Sequence, residues 1–461
     1  MNLAAAFTPV SAEVQTLFQH QRDSIAFYRQ HAQNLNHSEP GSSKTRPWLE
    51  FIREYRDSGG GAALVVAPRT IMESVWRQQA SLYTPELRVS IASAENRQQG
   101  LRPGSDIYIV NPDGIRSLAR DPALLPPGLT AFNVDESTCF KNPAAARTRD
   151  AIRLLQPFEH RVLMSGSPAP QGVTDLWAQA LLADHGERLG SSYWRFRDRF
   201  MHPVPVGPGL GQTRWIERPD APQRIAELLG DITLRFRLDD CIELPEQIEY
   251  FVEAPLSADH RRAYELLLAE GRLLLRDGGL ITATAAASLR LALLQSLTGG
   301  AYDRIGRAHQ IASERDELVL DLVEARSASI VSFQFRHQRD RLLAAAKRRH
   351  LPHGLIDGTV PLRQRADVVD QFQSGDLRVL FMHPATGSHG LTLTRGTSLI
   401  WASPTDNAEH FEQMAYRIRR PGQVHKTEVI KICAKNTIET RVYHQLRQKL
   451  TAQAALLQLL E

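Results

Sequence analysis

The sequence predicts an α/β protein built as two halves, each a parallel sheet covered by helices, with a helical stretch between them. Three observations carry this expectation. Short apolar runs closed by polar turns recur in both halves, helical patterns separate the runs, and the middle of the chain loses that alternation. In the first half the runs are AALVVAP (62–68), DIYIVNP (106–112), LTAFNVDES (129–137) and HRVLMSGSP (160–168). In the second they are ASIVSFQ (328–334), HGLIDG (353–358), RVLFMHP (378–384), SLIWASP (398–404) and EVIKICA (428–434). Continuous apolar runs of this length read as strands buried on both faces, with helices as the crossovers. In one such crossover Leu362, Ala366, Val369 and Phe372 are spaced for a single helix face, and Gly375 stands where that helix should end. The segment 201–212, rich in Pro and Gly, reads as a loop. Residues 256–325 read as mostly helical, and Thr437 to Glu461 as a closing amphipathic helix.

Bulk properties narrow the class. The 461 residues, 42% hydrophobic and 23% charged, suit a soluble protein with more than one core. No run of about 18 apolar residues suggests a membrane span, and no basic region precedes the short apolar stretch at the N-terminus, so a secretory signal is not expected. Cys139, Cys241 and Cys433 stand far apart, which fits a reduced compartment and core roles, without a zinc cluster. The net charge of +4 permits a polyanionic partner without demanding one.

Strands of an open α/β sheet present their ligand sites at their carboxyl ends. In AFNVDEST an apolar strand runs into Asp135 and Glu136. The first carboxylate suits Mg²⁺, and the second suits the attacking water of a nucleotide site. Two solvated acids at a strand end is the plainer alternative. Upstream, EPGSSKT offers Gly41, Lys44 and Thr45 in the places a phosphate loop needs, with a helix pattern following, although Ser43 stands where the motif wants Gly. A polar loop before a helix is the competing reading. In QMAYRIRRPGQ, Gln413, Arg417 and Arg420 are spaced at four and three residues, which predicts one helix face. An arginine fork suits a γ-phosphate, and a solvated basic helix has the same spacing.

Taken in order, these segments resemble the superfamily 2 helicases, and within them the Swi/Snf-like DNA translocases of compact phage and bacterial type. LFQHQRDSI (17–25) resembles the Q motif, EPGSSKT motif I, LVVAPRTIMESVWRQQ (64–79) motif Ia, VNPDGI (110–115) motif Ib, VDEST motif II and MSGSPAPQGVTDLWAQ (164–179) motif III. SIVSFQF resembles motif IV, HPATGSHGLTLT (383–394) motif V and QMAYRIRRPGQ motif VI, while RFRLDDCIELPEQ (235–247) resembles the family's lead into the second lobe. The resemblance implies two tandem RecA-like lobes: an ATP-binding lobe over 1–235, a connecting segment and helical insertion over 236–325, and a second lobe with the C-terminal helix over 326–461.

It further implies ATP and Mg as cofactors, hydrolysed at an interlobe cleft. Lys44, Asp135, Glu136, Arg417 and Arg420 would be catalytic, with Thr45 and Asp135 toward the metal. Gln21, Gly41, Ser42, Ser43 and Gln413 would help hold nucleotide, Gln21 as adenine reader. Pro68, Arg69, Asn111, Ser165, Gly166, Ser167, Gly387 and His389 would form the nucleic-acid track or couple it to hydrolysis. Trp76 and Trp177 offer base stacking or, as the simpler reading, core packing. The expected partner is duplex or forked DNA gripped by its backbone without sequence preference, and the expected setting is the cytoplasm of a bacterial or phage-infected cell. A hydrolysis-impaired binding protein on the same fold, or an RNA helicase, are the alternatives. Because every charged participant is present, Ser43 alone is expected to leave ATP binding intact.

Overall fold

The computed structural model of the chain describes residues 16–154, 158–205, 213–275, 277–283, 285–387 and 390–460. The N-terminal stretch 1–15, the glycine-rich segment 206–212 and His389 lie outside the described residues. The chain divides into two compact units, residues 1–243 with 451–461, and residues 244–450.

Unit 1 is organised by strands β1 (Gln33–Asn36), β2 (Ala62–Val66), β3 (Val89–Ala92), β4 (Ile107–Val110), β5 (Leu129–Asp135), β6 (His160–Met164), β7 (Met201–Pro205), β8 (Thr213–Glu217) and β9 (Thr233–Leu234). Seven of them form a parallel sheet in the order β3-β4-β2-β5-β6-β1-β9. Alternate residues of one strand face opposite sides of a sheet, and here both sides are covered. Leu64, Val66, Phe132 and Val134 enter one apolar cluster, while Ala63, Val65, Ala131 and Met164 enter another. The apolar runs are unbroken for this reason. Truncating Leu64 to alanine costs about 2–5 kcal/mol. The remaining strands, β7 and β8, pair antiparallel as a separate hairpin.

Unit 2 contains β10 (Gln247–Glu253), β11 (Arg272–Leu274), β12 (Leu280–Thr282), β13 (Gly300–Tyr302), β14 (Ala308–Gln310), β15 (Ser329–Ser332), β16 (His353–Ile356), β17 (Val379–Met382), β18 (Ser398–Trp401) and β19 (Thr427–Cys433). Its parallel sheet runs β10-β19-β18-β15-β17-β16. Again alternate residues divide between two clusters, Val331, Phe381 and Ile400 on one side and Ile330, Leu380 and Leu399 on the other. The closing helix Ile438–Leu459 starts in unit 2. From Thr451 on the chain belongs to unit 1, where Leu456, Leu457 and Leu460 join the core.

Several local expectations are corrected. Residues 201–205 of the expected loop are a strand, because the hairpin with β8 supplies partners for a Pro-containing segment on its own edge. The stretch 256–325 keeps helices Ala258–Glu270, Ala286–Leu297 and Glu314–Glu324, yet two hairpins, β11–β12 and β13–β14, interrupt them. Strands of three residues are too short to show a period of two. On the helix Leu362–Ser374 only Phe372 is buried, while Leu362 is exposed. The helix does end at Gly375, whose φ of 104° is open to glycine and whose N–H donates to Gln371. Cys139 and Cys241 are partly buried and Cys433 is buried, and among the described residues none is in a disulfide. Burial pushes the Cys241 thiol up to about 11, so it is no ready nucleophile. Trp177 is a core residue whose Nε1–H donates to the Gly190 carbonyl at 3.0 Å.

Candidate active site

The phosphate-loop segment follows β1 and precedes the helix Thr45–Asp57. It is built as a tight cradle. Gly41 has φ 89°, and Ser43 has φ 61°, a left-handed conformation that glycine adopts freely and serine does not. The local reason that the motif wants glycine at 43 is therefore the backbone angle. The serine keeps that angle at a cost of about 1 kcal/mol. Lys44 Nζ donates to the carbonyls of Ser38 at 2.7 Å and Glu39 at 3.1 Å, curling the lysine over its own loop. Ser42 is buried. Its hydroxyl donates to the Glu39 carbonyl at 2.8 Å, and its carbonyl meets His20 Nε2 at 3.0 Å. Thr45 opens a helix whose unpaired N–H groups favour an anion.

The segment Leu234–Leu238 runs beside the loop's leading residues and is bonded to them. The N–H of His37 donates to the Leu234 carbonyl at 2.8 Å, and that of Glu39 to the Phe236 carbonyl at 3.0 Å. In return, Phe236 N–H donates to Ser38 Oγ at 3.1 Å and Leu238 N–H to the Glu39 carboxylate at 2.9 Å. His37 itself is fully buried, and neither ring nitrogen has a hydrogen-bond partner. Burial, with the Arg235 and Lys44 charges nearby, pushes its pKa down to about 3.

Asp135 is the last residue of β5, at the carboxyl edge of the sheet. Its Oδ2 accepts a hydrogen bond from Trp76 Nε1–H at 2.8 Å. Trp76 reaches it because residues Met72–Arg77 are wound as a π-helical turn, with Trp76 N–H donating to the Ile71 carbonyl five residues back. Trp76 is thus a core residue that holds a carboxylate, a role its sequence context did not announce. Desolvation raises the Asp135 pKa, opposed by Trp76 and by the charge of Lys44, which places that lysine in electrostatic range of the carboxylate. Glu136 follows with φ 60°, so the chain turns sharply at the second acid.

The remaining unit 1 residues are placed as follows. Gly166 lies against the phosphate loop, where a Cβ would stand 2.6 Å from Pro40 Cδ. Ser165 Oγ accepts from Ser167 N–H at 3.2 Å, and both serines are buried. Ser137, just after the acid pair, donates its hydroxyl to Gln179 Oε1, and Gln179 Nε2 donates to the Pro168 carbonyl at 2.7 Å. Motifs II and III are tied through that buried amide. Gln21 is buried on the helix Gln19–Gln30, with its Oε1 accepting Phe18 N–H at 3.0 Å. Pro68 and Arg69 follow β2, and Asn111 follows β4, all at the carboxyl edge. Arg69 pairs with Glu95 at 2.8 Å on the surface.

In unit 2 the helix Ala408–Ile418 carries Gln413 and Arg417, both buried, but it ends before Arg420. The expected common helix face is therefore corrected, and the convergence arises differently. Arg417 Nη1 donates to the Leu391 carbonyl at 3.1 Å, and Arg420 Nη1 donates to the same carbonyl at 2.8 Å and to Thr392 Oγ1 at 2.9 Å. Burial lowers the pKa of Arg420 to about 10, so it stays charged at neutral pH. Gly387 ends a short turn, Pro384–Gly387, where a Cβ would stand 2.1 Å from Met382 Sδ.

Comparison with known proteins identifies the class. The SNF2-related domain matches residues 20–297, more than half of the chain, and the helicase conserved C-terminal domain matches residues 314–422. The chain belongs to the SNF2-related family and carries the ATPase of an ATP-dependent helicase or translocase. It is 28% identical over 439 residues to protein p41 of Acyrthosiphon pisum secondary endosymbiont phage 1, covering 91% of this chain and 93% of p41. It is 23% identical over 447 residues to the Bos taurus DNA annealing helicase and endonuclease ZRANB3, covering 93% of this chain but 40% of ZRANB3. The chain thus spans less than half of that larger relative. Its fold is like that of S. cerevisiae Dbp5 bound to RNA and ADP–BeF3, with a TM-score of 0.58, 11% identity and coverage of 97% of this chain and 95% of Dbp5. That likeness establishes tandem RecA-like lobes. No described helix is long and apolar enough to cross a membrane.

Proposed function

We propose that this protein is a compact motor that uses Mg–ATP to move along or remodel duplex or forked DNA in replication, recombination or repair. The observation that carries this reading is the convergence in unit 1 of the Lys44 loop, the Thr45 helix start and the Trp76-held Asp135. A cation, an anion-binding helix end and a carboxylate are the donor set a metal–triphosphate needs. When bound, Mg–ATP supplies the phosphoryl group whose transfer to water drives movement.

The residues divide the work. Lys44 exchanges the Ser38 and Glu39 carbonyls for phosphate oxygens, while Thr45 and Asp135 hold the metal. Glu136 orients or deprotonates the attacking water. Arg417 and Arg420 stabilise the charge that develops on the transferred group, with Gln413 beside them. Gln21 reads adenine, and Gly41, Ser42 and Ser43 shape the loop around the phosphates. Pro68, Arg69, Asn111, Ser165, Gly166, Ser167, Gly387 and His389 form the backbone track or its coupling to hydrolysis. Ser43 maintains the required left-handed angle, which supports turnover over the hydrolysis-impaired alternative.

Phosphate release by the purified chain, with blunt duplex, forked duplex, single-stranded DNA and RNA, tests the reading. Stimulation by DNA in wild type, lost in Lys44→Ala and Glu136→Gln, is expected. Equal release by wild type and both variants sinks the motor, and stimulation by RNA alone transfers it to the RNA helicases.

A further inference from the structure

The helix Tyr193–Phe200 and the hairpin β7–β8 lie outside all the motifs used above. Phe196 and Phe200 are buried and seat the helix on the core of unit 1. The other side shows Trp194, Arg195 and Arg199. Trp194 is 64% exposed, a high value for an indole in a folded protein. It is nevertheless held. The Arg197 guanidinium carbon lies 3.6 Å from the Trp215 ring centroid on β8 and 4.8 Å from that of Trp194, so one cation contacts both rings. Tyr193 meets Trp194 edge-on at 5.7 Å. The result is a braced indole with much of its surface open.

The charge around it has one sign. Between residues 193 and 218 there are five arginines and two acids. Asp198 is taken by Arg197 at 2.8 Å, and Glu217 accepts the N–H of Val173 at 2.8 Å in a setting that raises its pKa by burial. Arg195 and Arg199 are exposed and have no acidic partner among the described residues. A fixed aromatic face beside exposed guanidinium groups without acidic partners, Arg199 resting 4.9 Å from the Phe200 ring centroid, is complementary to a strand that offers bases and phosphates alternately. It is poorly matched to a fully paired duplex, whose base faces are stacked away.

We propose that this face binds an unpaired DNA strand next to the duplex on which the motor acts, with Trp194 stacking on a base and Arg195 and Arg199 contacting the flanking phosphates. This deepens, and rests on, the DNA reading above. It predicts a preference for forked over blunt DNA, supplied by the helix Tyr193–Phe200.

The test is equilibrium binding of the full chain to two labelled probes, a blunt duplex and the same duplex with a single-stranded arm, measured over a range of salt. Wild type should favour the armed probe. Trp194→Ala should weaken armed-probe binding about tenfold while blunt-duplex binding stays within about twofold, and Trp194→Phe should retain most of the preference. The double change Arg195→Ala with Arg199→Ala should reduce the salt dependence on the armed probe by between one and two ion equivalents, near the roughly 0.7 expected per single-strand phosphate contact. A melting temperature matching wild type establishes that the variants fold. An unchanged armed-to-blunt ratio in Trp194→Ala and in the double arginine variant overturns the proposal and points to a protein partner for this face. Failure of wild type to bind either probe overturns the DNA reading itself.

Discussion

The site residues of the two units are held by different means. In unit 1 each has its own keeper: Trp76 for Asp135, the Ser38 and Glu39 carbonyls for Lys44, Pro40 against Gly166. In unit 2 Arg417 and Arg420 share one acceptor, the Leu391 carbonyl, although one is helical and the other lies beyond the helix end. Unit 1 is a set of independent clamps, so single changes there should act additively when they are far apart. Unit 2 is one clamp with two arms, so its changes should be strongly coupled.

The largest expected effect tests that coupling. Arg420→Ala should lower kcat about a thousandfold, as loss of an arginine finger does. The Arg417→Ala/Arg420→Ala double variant should lose little more than the worse single one. Losses that multiply in the double variant, read by single-turnover phosphate release, break the shared-clamp picture. Next comes Trp76→Phe, which keeps an aromatic ring and removes one donor to a carboxylate. It should cost about 1.5–3 kcal/mol of stability by denaturant unfolding, with a matching fall in metal-dependent turnover. An unaffected Asp135 would show that unit 1 does not depend on its keepers. Ser43→Gly should run the other way and stabilise the loop by about 1 kcal/mol, seen as a higher melting temperature. A neutral or destabilising result removes the strain argument for this position.

Why some of this was legible and some not follows from range. Asp135-Glu136, Lys44-Thr45 and the arginine string are contiguous, and the placement of the two acids at a strand end follows from an apolar run followed by a turn. The Trp76 bond spans 59 residues and needs a π turn, which leaves no periodic trace. The sharing of Leu391 by two arginines depends on where a helix stops, and the spacing of four and three continued past that stop. The hairpins β11–β12 and β13–β14 are shorter than any pattern could show. Ser43 was legible as a departure, but its positive φ required the backbone.

The smallest predicted effect also separates the units. His37 in unit 1 is held neutral, its pKa depressed to about 3. Its contribution is present above the ordinary histidine value and is lost as pH falls below about 6.5, when the unfolded chain takes up the proton first. His309 in unit 2 sits between Asp277 at 2.7 Å and Asp303 at 3.0 Å, which raise its pKa. Its contribution is full below about 6.5 and is lost as pH rises through the elevated value. His37→Asn should flatten the acid side of the stability profile, and His309→Gln the neutral-to-alkaline side, in melting curves taken across pH. The same slope in both variants would erase the contrast.

One consequence concerns the ladder between His37–Glu39 and Leu234–Leu238. The lead into the Lys44 loop and the segment Leu234–Leu238 are two rows of a single ribbon. Two of its bonds join main chain to main chain and two end on the Ser38 hydroxyl and the Glu39 carboxylate, so a displacement of residues 234–238 passes to residues 37–39 with no third segment between them. In the proposed motor, load and chemistry would meet there like two ends of one ratchet pawl, with residues 234–238 as part of the engine's gearing.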